Sequence, residues 1–114
     1  ESIEAKILFD ADKLDACGAL GIARTLVYKG AVEDPLYSLL PDGSVSDGTG
    51  DEFPSFFQEY KFKLEKLYDR FYTKKGREMA EERRAAAISF YRDLFGEVSA
   101  PYITGRDLLK NHIE

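Results

Sequence analysis

Two aspartates three residues apart are the strongest candidates for chemistry in this sequence. Asp12 and Asp15 interrupt the apolar positions of a helical pattern, and their spacing places both carboxylates on one helix face. A buried carboxylate without partners costs several kcal/mol, so such a pair usually binds a metal ion, meets a cation or lines a cavity. The alternative is a structural ion pair, for which Arg83 is the candidate because it also interrupts an apolar stripe. Spacing alone leaves both interpretations open.

The charged residues around this pair suggest further roles. Lys6 and Lys13 lie one helical turn before and after Asp10, so Asp10 is predicted to belong to a solvated, ion-paired face. Lys13 and Arg24 could bind a phosphate group near a metal ion. For Lys13, pairing with Asp10 is the favoured prediction and phosphate binding is the alternative.

Other reactive residue types favour structural roles. Cys17 is the only cysteine, which excludes an intrachain disulfide, and it is predicted to be a small buried side chain. His112 is the only histidine and lies in a polar segment, where an exposed side chain is expected. The basic turn of Lys74, Lys75 and Arg77 is predicted to be a solvated patch, with an anionic ligand as the alternative. Six aromatic residues are predicted to pack in the core: Phe56, Phe57, Tyr60, Tyr68, Phe71 and Tyr72.

A first helix and a long loop are predicted to position the two aspartates. Apolar residues at alternating spacings of three and four predict a helix over residues 2–28, with Ser2 as its N-cap and a wide, largely buried face. Gly18 and Gly21 inside this helix indicate the close approach of another backbone. Repeated Gly, Pro and Asp residues then predict a long irregular loop over residues 29–54.

Two further helices are predicted in the second half of the chain. Residues 55–72 carry a helical apolar stripe and open with a capping box of Ser55 and Gln58. Residues 74–95 form the other helix, capped by Thr73 and ended by the glycine that follows. The sequence therefore predicts an all-α fold.

The domain organisation follows from length and pattern. A chain of 114 residues can build one core but not two, so residues 1–114 are predicted to form a single helical domain. A short terminal helix is predicted over residues 104–111. The sequence contains no internal repeat and no segment that requires a β-strand.

Composition limits the partners of the chain. Sixteen basic residues are interleaved with twenty-one acidic ones, and the net charge is −5, which disfavours a nucleic-acid polymer as the ligand. The sequence has no apolar run of about eighteen residues, so a membrane span is not predicted. One cysteine and no export signal favour a cytoplasmic location.

The run from Glu4 to Arg24 resembles a known family. Its Ala-Asp-Lys-Leu-Asp-Ala segment at residues 11–16 resembles the second metal-binding block of the HD-domain phosphohydrolases. In that family a helical Ala-Asp-Lys/Arg-Leu segment supplies the aspartate that completes a His, His-Asp, Asp metal set. Residues 59–64 and 80–83 look like later helices of the same branch, so the resemblance covers most of the chain.

This resemblance implies an activity and assigns residues to it. The chain looks like the C-terminal half of an HD domain, a helical bundle that would hydrolyse a small phosphorylated substrate such as a nucleotide. Asp12 takes the position of the metal ligand, and Asp15 that of a catalytic residue that orients ligand or water. Lys13 and Arg24 would bind the substrate. The cofactor would be a divalent ion of Mn, Mg, Fe, Ni, Co or Zn.

The histidine part of this metal set has no counterpart in the 114 residues. A catalytic metal needs three or more ligands, so one aspartate cannot hold it. The sequence opens at Glu1 inside a helical pattern, and we expect the chain to be a fragment whose missing N-terminal half of the domain precedes Glu1. The alternative is a catalytically silent helical module that binds a partner or completes a domain supplied by a second polypeptide.

Overall fold

The computed structural model describes residues 2–100. Regular structure in this range is helical, apart from one isolated bridge between Leu39 and Val45. The α-helices are α1 Ile3–Leu14, α2 Gly18–Ala31, α3 Phe56–Glu59 and α4 Lys74–Ser99. The predicted all-α class is confirmed. The terminal helix predicted at 104–111 and the side chain of His112 lie outside the described residues.

The first predicted helix is in fact two helices. The chain turns between α1 and α2 at residues 15–17, so the prediction of one continuous helix over 2–28 is wrong. Gly18 begins α2 with a φ of +63°, in the left-handed region that favours glycine. Its N–H donates a hydrogen bond of 2.9 Å to the hydroxyl of Tyr68. This partner lies fifty residues away in sequence, and a local pattern cannot reveal it.

Two glycines make the turn between α1 and α2 compact. A Cβ on Gly18 would lie 2.7 Å from the Cβ of Arg83, which belongs to α4. A Cβ on Gly21 would lie 2.2 Å from the carbonyl oxygen of Ala16, where the chain turns back. Both distances are shorter than any van der Waals contact. The predicted close approach at these glycines is confirmed.

Substitution of Gly18 tests this turn. We expect Gly18→Ala to lower the free energy of unfolding by about 1 to 3 kcal/mol, because alanine is strained at positive φ and its methyl group meets α4. Gly30→Ala is the matched control in the same helix, since a Cβ there meets no atom within 4 Å. It should be neutral or stabilising by up to about 1 kcal/mol. Urea unfolding curves check both values, and equal effects would contradict this account of the turn.

Asp10 fixes α1 to the beginning of α4. Its side chain is 3% exposed and accepts hydrogen bonds from the N–H groups of Tyr72 (2.9 Å) and Thr73 (2.7 Å). The Thr73 hydroxyl donates a third bond at 2.6 Å. Burial raises the pKa of Asp10, but the bonds from Thr73 and Tyr72 outweigh it, so the pKa is lowered from its ordinary value. The prediction of a solvated face for Asp10 is wrong, and Asp10 is the anion at the basic first turn of α4.

The apolar side chains of α1 are exposed, contrary to the predicted buried face. Ile3, Ile7, Leu8 and Phe9 keep between 49% and 70% of their surface accessible. Leu14, at the end of the helix, packs partly against the core. Because α1 packs mainly against α4, its outer face is uncovered within residues 2–100.

The predicted helix over 55–72 is helical but irregular. The hydroxyl of Ser55 caps α3 by accepting a hydrogen bond of 3.0 Å from the N–H of Gln58, as predicted. A π-helical turn, Tyr60–Leu64, follows α3 directly, and a 3-10 turn, Leu67–Asp69, follows after two residues. We call residues 56–69 the irregular helical segment.

The core lies between α2, α4 and the irregular helical segment. Five of the six aromatic residues predicted to be in the core are buried, and Tyr72 is 47% exposed and contacts Phe9 instead. The rings of Tyr60 and Tyr91 stack in parallel at 4.2 Å, which joins the segment to α4. The buried apolar residues are Cys17, Ile22, Phe56, Phe57, Tyr60, Leu64, Leu67, Tyr68, Phe71, Ala80, Ala87 and Tyr91.

The fourth helix begins where the sequence predicts and ends later. The hydroxyl of Thr73 accepts a hydrogen bond of 2.9 Å from the N–H of Gly76, which confirms the predicted cap. The helix passes through Gly96 to Ser99. The predicted stop at Gly96 is wrong, because this glycine does not adopt the positive φ that ends helices.

The long loop begins after Ala31, three residues later than predicted. Its first part is fixed to α3, because the N–H of Phe57 donates to the Leu36 carbonyl at 2.9 Å. Tyr37 packs against the ring of Phe57 at 5.8 Å. These two contacts attach the first part of the loop to the core.

Candidate functional site

The two aspartates of the sequence motif line one open cavity. It has a volume of about 540 Å³ and lies where α1, α2 and the irregular helical segment meet. We call it the Asp12 pocket. Its lining residues are Asp12, Asp15, Ala16, Gly21, Arg24, Thr25, Tyr28, Lys29, Glu59 and Lys63.

Asp12 is an exposed carboxylate in the last turn of α1. It lies two residues from Asp10, and this offset turns it away from α4 and toward the pocket. Asp12 forms no ion pair and no side-chain hydrogen bond with any residue in the range 2–100. Its carboxylate oxygens are therefore available to a ligand.

Asp15 is held by Arg24 at the turn between α1 and α2. The Asp15 Oδ2 and Arg24 Nη1 atoms are 3.2 Å apart, and the two side chains are 55% and 60% exposed. An exposed pair of this kind stabilises a fold by about 0.2 to 1 kcal/mol. The ion pair matters mainly because it orients the Asp15 carboxylate, one of the two aspartate carboxylates of the pocket.

Arg83 does not pair with either aspartate, so the predicted buried ion pair is wrong. Its Nη1 donates a hydrogen bond of 2.7 Å to the carbonyl oxygen of Leu14. That carbonyl lies at the C-terminal end of α1, where the helix dipole favours a cation. Arg83 is thus a cap for α1 and not a neutraliser of Asp12 or Asp15.

Lys13 points away from the Asp12 pocket. Its Nζ donates to the carbonyl oxygen of Arg70 and lies 3.9 Å from the centre of the Phe9 ring. No ion pair with Asp10 forms within 4.0 Å, contrary to the predicted pairing. Burial lowers the pKa of Lys13 and Arg70 lowers it further, while the charge of Asp10 opposes both.

Glu59 and Lys63 line the pocket and were not identified from the sequence. Their spacing of four residues favours an ion pair on a regular helix, yet none forms within 4.0 Å. The π-helical turn explains this, because the N–H of Glu65 bonds to the Tyr60 carbonyl five residues earlier, which changes the helical register. Lys61 and Glu65 pair instead, at 3.1 Å. No local sequence pattern predicts such a π-helical turn.

Lys29 lines the pocket and forms a partly buried ion pair. Lys29, near the end of α2, is 7% exposed, and its Nζ lies 3.1 Å from the Oδ2 of Asp34. This contact connects α2 to the loop that follows it. Because its charge is neutralised by Asp34, Lys29 contributes to the shape of the pocket more than to its charge.

Cys17 is buried beside the pocket and is not a nucleophile. Its side chain is 0% exposed, and burial raises the pKa of the thiol to about 11. A thiol with such a pKa is protonated at neutral pH. The prediction of a small buried side chain is confirmed.

The ligands needed for a catalytic metal are incomplete in the part of the chain that the structure describes. No group of three or more His, Cys, Asp or Glu side chains is close enough there to hold a metal ion. Asp12 fits the chemistry of a single ligand, since its carboxylate is exposed and unpaired. A metal centre at this position requires ligands from elsewhere.

A sequence relative exists among curated proteins, although no family model matches the chain. The chain is 41% identical over 93 residues to the uncharacterized protein YpgQ of Bacillus subtilis. The match covers 82% of this chain and 39% of YpgQ. The chain thus spans about two fifths of the length of this relative.

Solved structures extend the comparison. YpgQ in complex with ADP superposes with a TM-score of 0.68 at 36% identity, covering 84% of this chain and 44% of YpgQ. An HD-superfamily hydrolase from Bacillus thuringiensis gives a TM-score of 0.68 at 37% identity, covering 88% of this chain and 48% of the hydrolase. The chain is similar to part of an HD-superfamily hydrolase. A protein from Lactobacillus plantarum has the same fold, with a TM-score of 0.73 at 30% identity, over 89% of this chain and 51% of its own length.

These similarities support the resemblance seen in the sequence at the level of the superfamily. They extend over about half of each structural neighbour, so they concern this part of the fold and not a whole enzyme. No helix among residues 2–100 is long and apolar enough to cross a membrane.

Proposed function

We propose that this chain forms part of the active site of a metal-dependent phosphohydrolase that cleaves a phosphate ester, with nucleotides as the substrate class. The observation that carries the proposal is the unpaired Asp12 carboxylate at an open pocket with acidic and basic walls. Similarity to an HD-superfamily hydrolase supports a hydrolytic activity, and the ADP complex of YpgQ supports a nucleotide.

Asp12 supplies one ligand to a divalent metal ion in this proposal. The other ligands come from the part of the domain that the HD-superfamily relatives have and this chain does not span. When bound, such an ion lowers the pKa of coordinated water and neutralises charge on phosphoryl oxygens. Mn, Mg, Fe, Ni, Co and Zn are all compatible with carboxylate and imidazole ligands.

Asp15 and Arg24 act as a unit beside this position. Arg24 fixes the Asp15 carboxylate at 3.2 Å, so that Asp15 can accept a hydrogen bond from water or orient a ligand. A guanidinium has five N–H donors, and the ion pair leaves several of those of Arg24 free to bind a phosphate oxygen. Lys63, on the opposite wall, adds a second positive charge.

A catalytically silent module that completes a domain is the second candidate. Two observations favour it: residues 2–100 contain no three-ligand group, and the apolar outer face of α1 is uncovered. A helical partner that covers α1 would bury these side chains and add stability. Such a module would bind its partner without any dependence on metal.

Metal removal separates the two candidates. We expect the full-length gene product to hydrolyse a nucleotide or a generic phosphate ester, to lose this turnover on treatment with a chelator, and to regain it when Mn²⁺ or Mg²⁺ is restored. Steady-state kinetics with a panel of divalent ions measures this directly. Turnover that is unchanged by the chelator, or no turnover with any ion in the panel, would rule out the enzyme.

A further inference from the structure

Two side chains of α1 bind the chain segment that leads into α4. We call residues 70–73, which join the irregular helical segment to α4, the connector. Asp10 accepts hydrogen bonds from the connector N–H groups of Tyr72 and Thr73. Lys13, three residues later on α1, donates a hydrogen bond from its Nζ to the connector carbonyl of Arg70. An acidic and a basic side chain of one helix thus bind N–H and C=O groups of the same backbone segment, and we call this pair the clamp.

Three aromatic rings lie close to the ammonium group of Lys13. Its Nζ is 3.9 Å from the centre of the Phe9 ring, 5.2 Å from that of Phe71 and 5.4 Å from that of Tyr72. A cation within about 6 Å of an aromatic ring is attracted by the charge distribution of that ring. Because Phe71 and Tyr72 belong to the connector, Lys13 contacts the connector through side chains as well as through the Arg70 carbonyl.

The clamp determines how α1 is rotated about its own axis. Successive residues of an α-helix are turned by about 100°, so Asp10 and Lys13 lie about 60° apart around α1, whereas Asp12 lies about 160° from Asp10. The Asp12 carboxylate therefore leaves the helix on a different side from the clamped residues. Any rotation of the last turn of α1 would change the direction of this carboxylate.

Few other side chains of α1 resist such a rotation within residues 2–100. Four large apolar side chains of this helix are between 49% and 70% exposed, and Leu14 packs only partly against the core. Arg83 bonds to the carbonyl of Leu14 at the end of the helix. One bond to a terminal carbonyl holds the end in place but does not set the rotation. The rotation of α1 therefore depends mainly on Asp10 and Lys13.

We infer that Lys13 is a positioning residue for Asp12: together with Asp10 it clamps α1 to the connector and keeps the Asp12 carboxylate directed at the metal ion of the proposed active site. The inference rests on the proposed function, because it gives Asp12 a metal ion to bind. It assigns Lys13 to bonds within the protein and not to the substrate. Removal of Asp10 also leaves two N–H groups unpaired, so Lys13 is the member of the clamp that tests the role cleanly.

Manganese binding by the full-length gene product tests the role of Lys13. Lys13→Met keeps the length of the side chain and removes its charge and its N–H donors. It should raise the Kd for Mn²⁺ by about tenfold or more, as expected when a group that orients a metal ligand is lost. Lys13→Arg keeps the charge and the donors, so its Kd should stay within about threefold of the wild-type value. Isothermal titration with Mn²⁺ alone measures these constants, and an unchanged Kd in Lys13→Met would overturn the inference.

Two further variants serve as control and as a second test. Lys74→Met removes an exposed lysine that has no ion pair within 4.0 Å among the described residues, and should change the Kd by less than about twofold. Phe9→Leu removes the ring closest to the ammonium group from a position that is 49% exposed, and should raise the Kd by about twofold or more. If Lys13→Met does not fold, equal Kd values for Phe9→Leu and Lys74→Met would overturn the inference.

Steady-state kinetics separates a positioning role from substrate binding. At saturating Mn²⁺, Lys13→Met should lower kcat for a phosphate ester by about tenfold or more and change KM by less than about twofold. Lys13→Arg should restore kcat. A raised KM, with kcat and the Kd for Mn²⁺ both unchanged, would assign Lys13 to the substrate and reject the positioning role.

Hydrogen exchange in buffer with chelator distinguishes failure of the clamp from failure of the proposed function. Lys13→Met should raise the exchange rates of the amides in residues 11–14 by about fivefold or more, whereas Lys13→Arg should match the wild type. A wild-type protein that binds no Mn²⁺ but shows these exchange rates would reject the hydrolase and keep Lys13 as the residue that positions Asp12. Wild-type Mn²⁺ binding, with the Kd and the exchange rates unchanged in Lys13→Met, would reject the clamp and leave the hydrolase.

Discussion

Asp12→Ala should lower kcat/KM for phosphate-ester hydrolysis by about a hundredfold or more, because the loss of a metal ligand is at least as severe as the loss of a residue that supports one. The free energy of unfolding should change by less than about 0.5 kcal/mol. The structure supports this small change, since the Asp12 side chain is exposed and has no side-chain partner among residues 2–100. Steady-state kinetics and urea unfolding of the same preparation measure both effects.

Glu4→Ala is a suitable control for the kinetic effect. Glu4 is an exposed carboxylate in the first turn of the same helix and does not line the Asp12 pocket. Its removal should leave turnover unchanged. If Asp12→Ala were as active as Glu4→Ala, the assignment of Asp12 to the reaction would have to be abandoned.

Asp10→Ala should show the opposite pattern, with a large loss of stability. We expect it to lower the free energy of unfolding by about 3 kcal/mol, because it removes a buried acceptor and leaves two backbone N–H groups at the beginning of α4 unpaired. The helix also loses the negative charge near its N-terminus. Thermal and urea unfolding measure the effect.

Asp12→Ala is the matched control for this stability effect, since the two aspartates are two residues apart on one helix. Asp10 is 3% exposed with three hydrogen bonds, whereas Asp12 is exposed and unpaired. Unfolding midpoints that shift equally in the two variants would contradict the described roles. A larger shift for Asp12→Ala would mean that Asp12, and not Asp10, is the aspartate of α1 that is bonded to the beginning of α4.

Features that depend on local chemistry could be predicted from the sequence. The caps at Ser2, Ser55 and Thr73 are all confirmed, because a cap is decided by a side chain and an N–H group three residues later. The all-helical class follows from apolar periodicity in the same way. The irregular loop was also predicted, and its beginning was wrong by three residues.

Features that depend on distant partners could not be predicted. The turn before Gly18 needs the Tyr68 hydroxyl, and Asp10 needs the N–H groups before α4, fifty or more residues away in each case. The sequence pattern predicted a solvated Asp10 because two lysines lie one helical turn before and after it. The sequence pattern does not contain these tertiary contacts.

The candidate site was predicted in part. Asp12, Asp15 and Arg24 line one pocket, whereas Lys13 contacts the Arg70 carbonyl and the Phe9 ring, and Arg83 caps α1. Glu59 and Lys63 were missed, because a π-helical turn changes which positions share a face. The roles proposed for these residues stay predictions until they are tested by mutation.

Metal analysis of the full-length gene product tests the central claim most directly. Elemental analysis after metal loading and gel filtration would compare the wild-type protein with Asp12→Ala, with Glu4→Ala as the control. The account predicts a divalent ion bound in the wild type and in Glu4→Ala, and its loss from Asp12→Ala while the fold stays intact. Metal retained by Asp12→Ala at the wild-type level, or absent from the wild type, would contradict it.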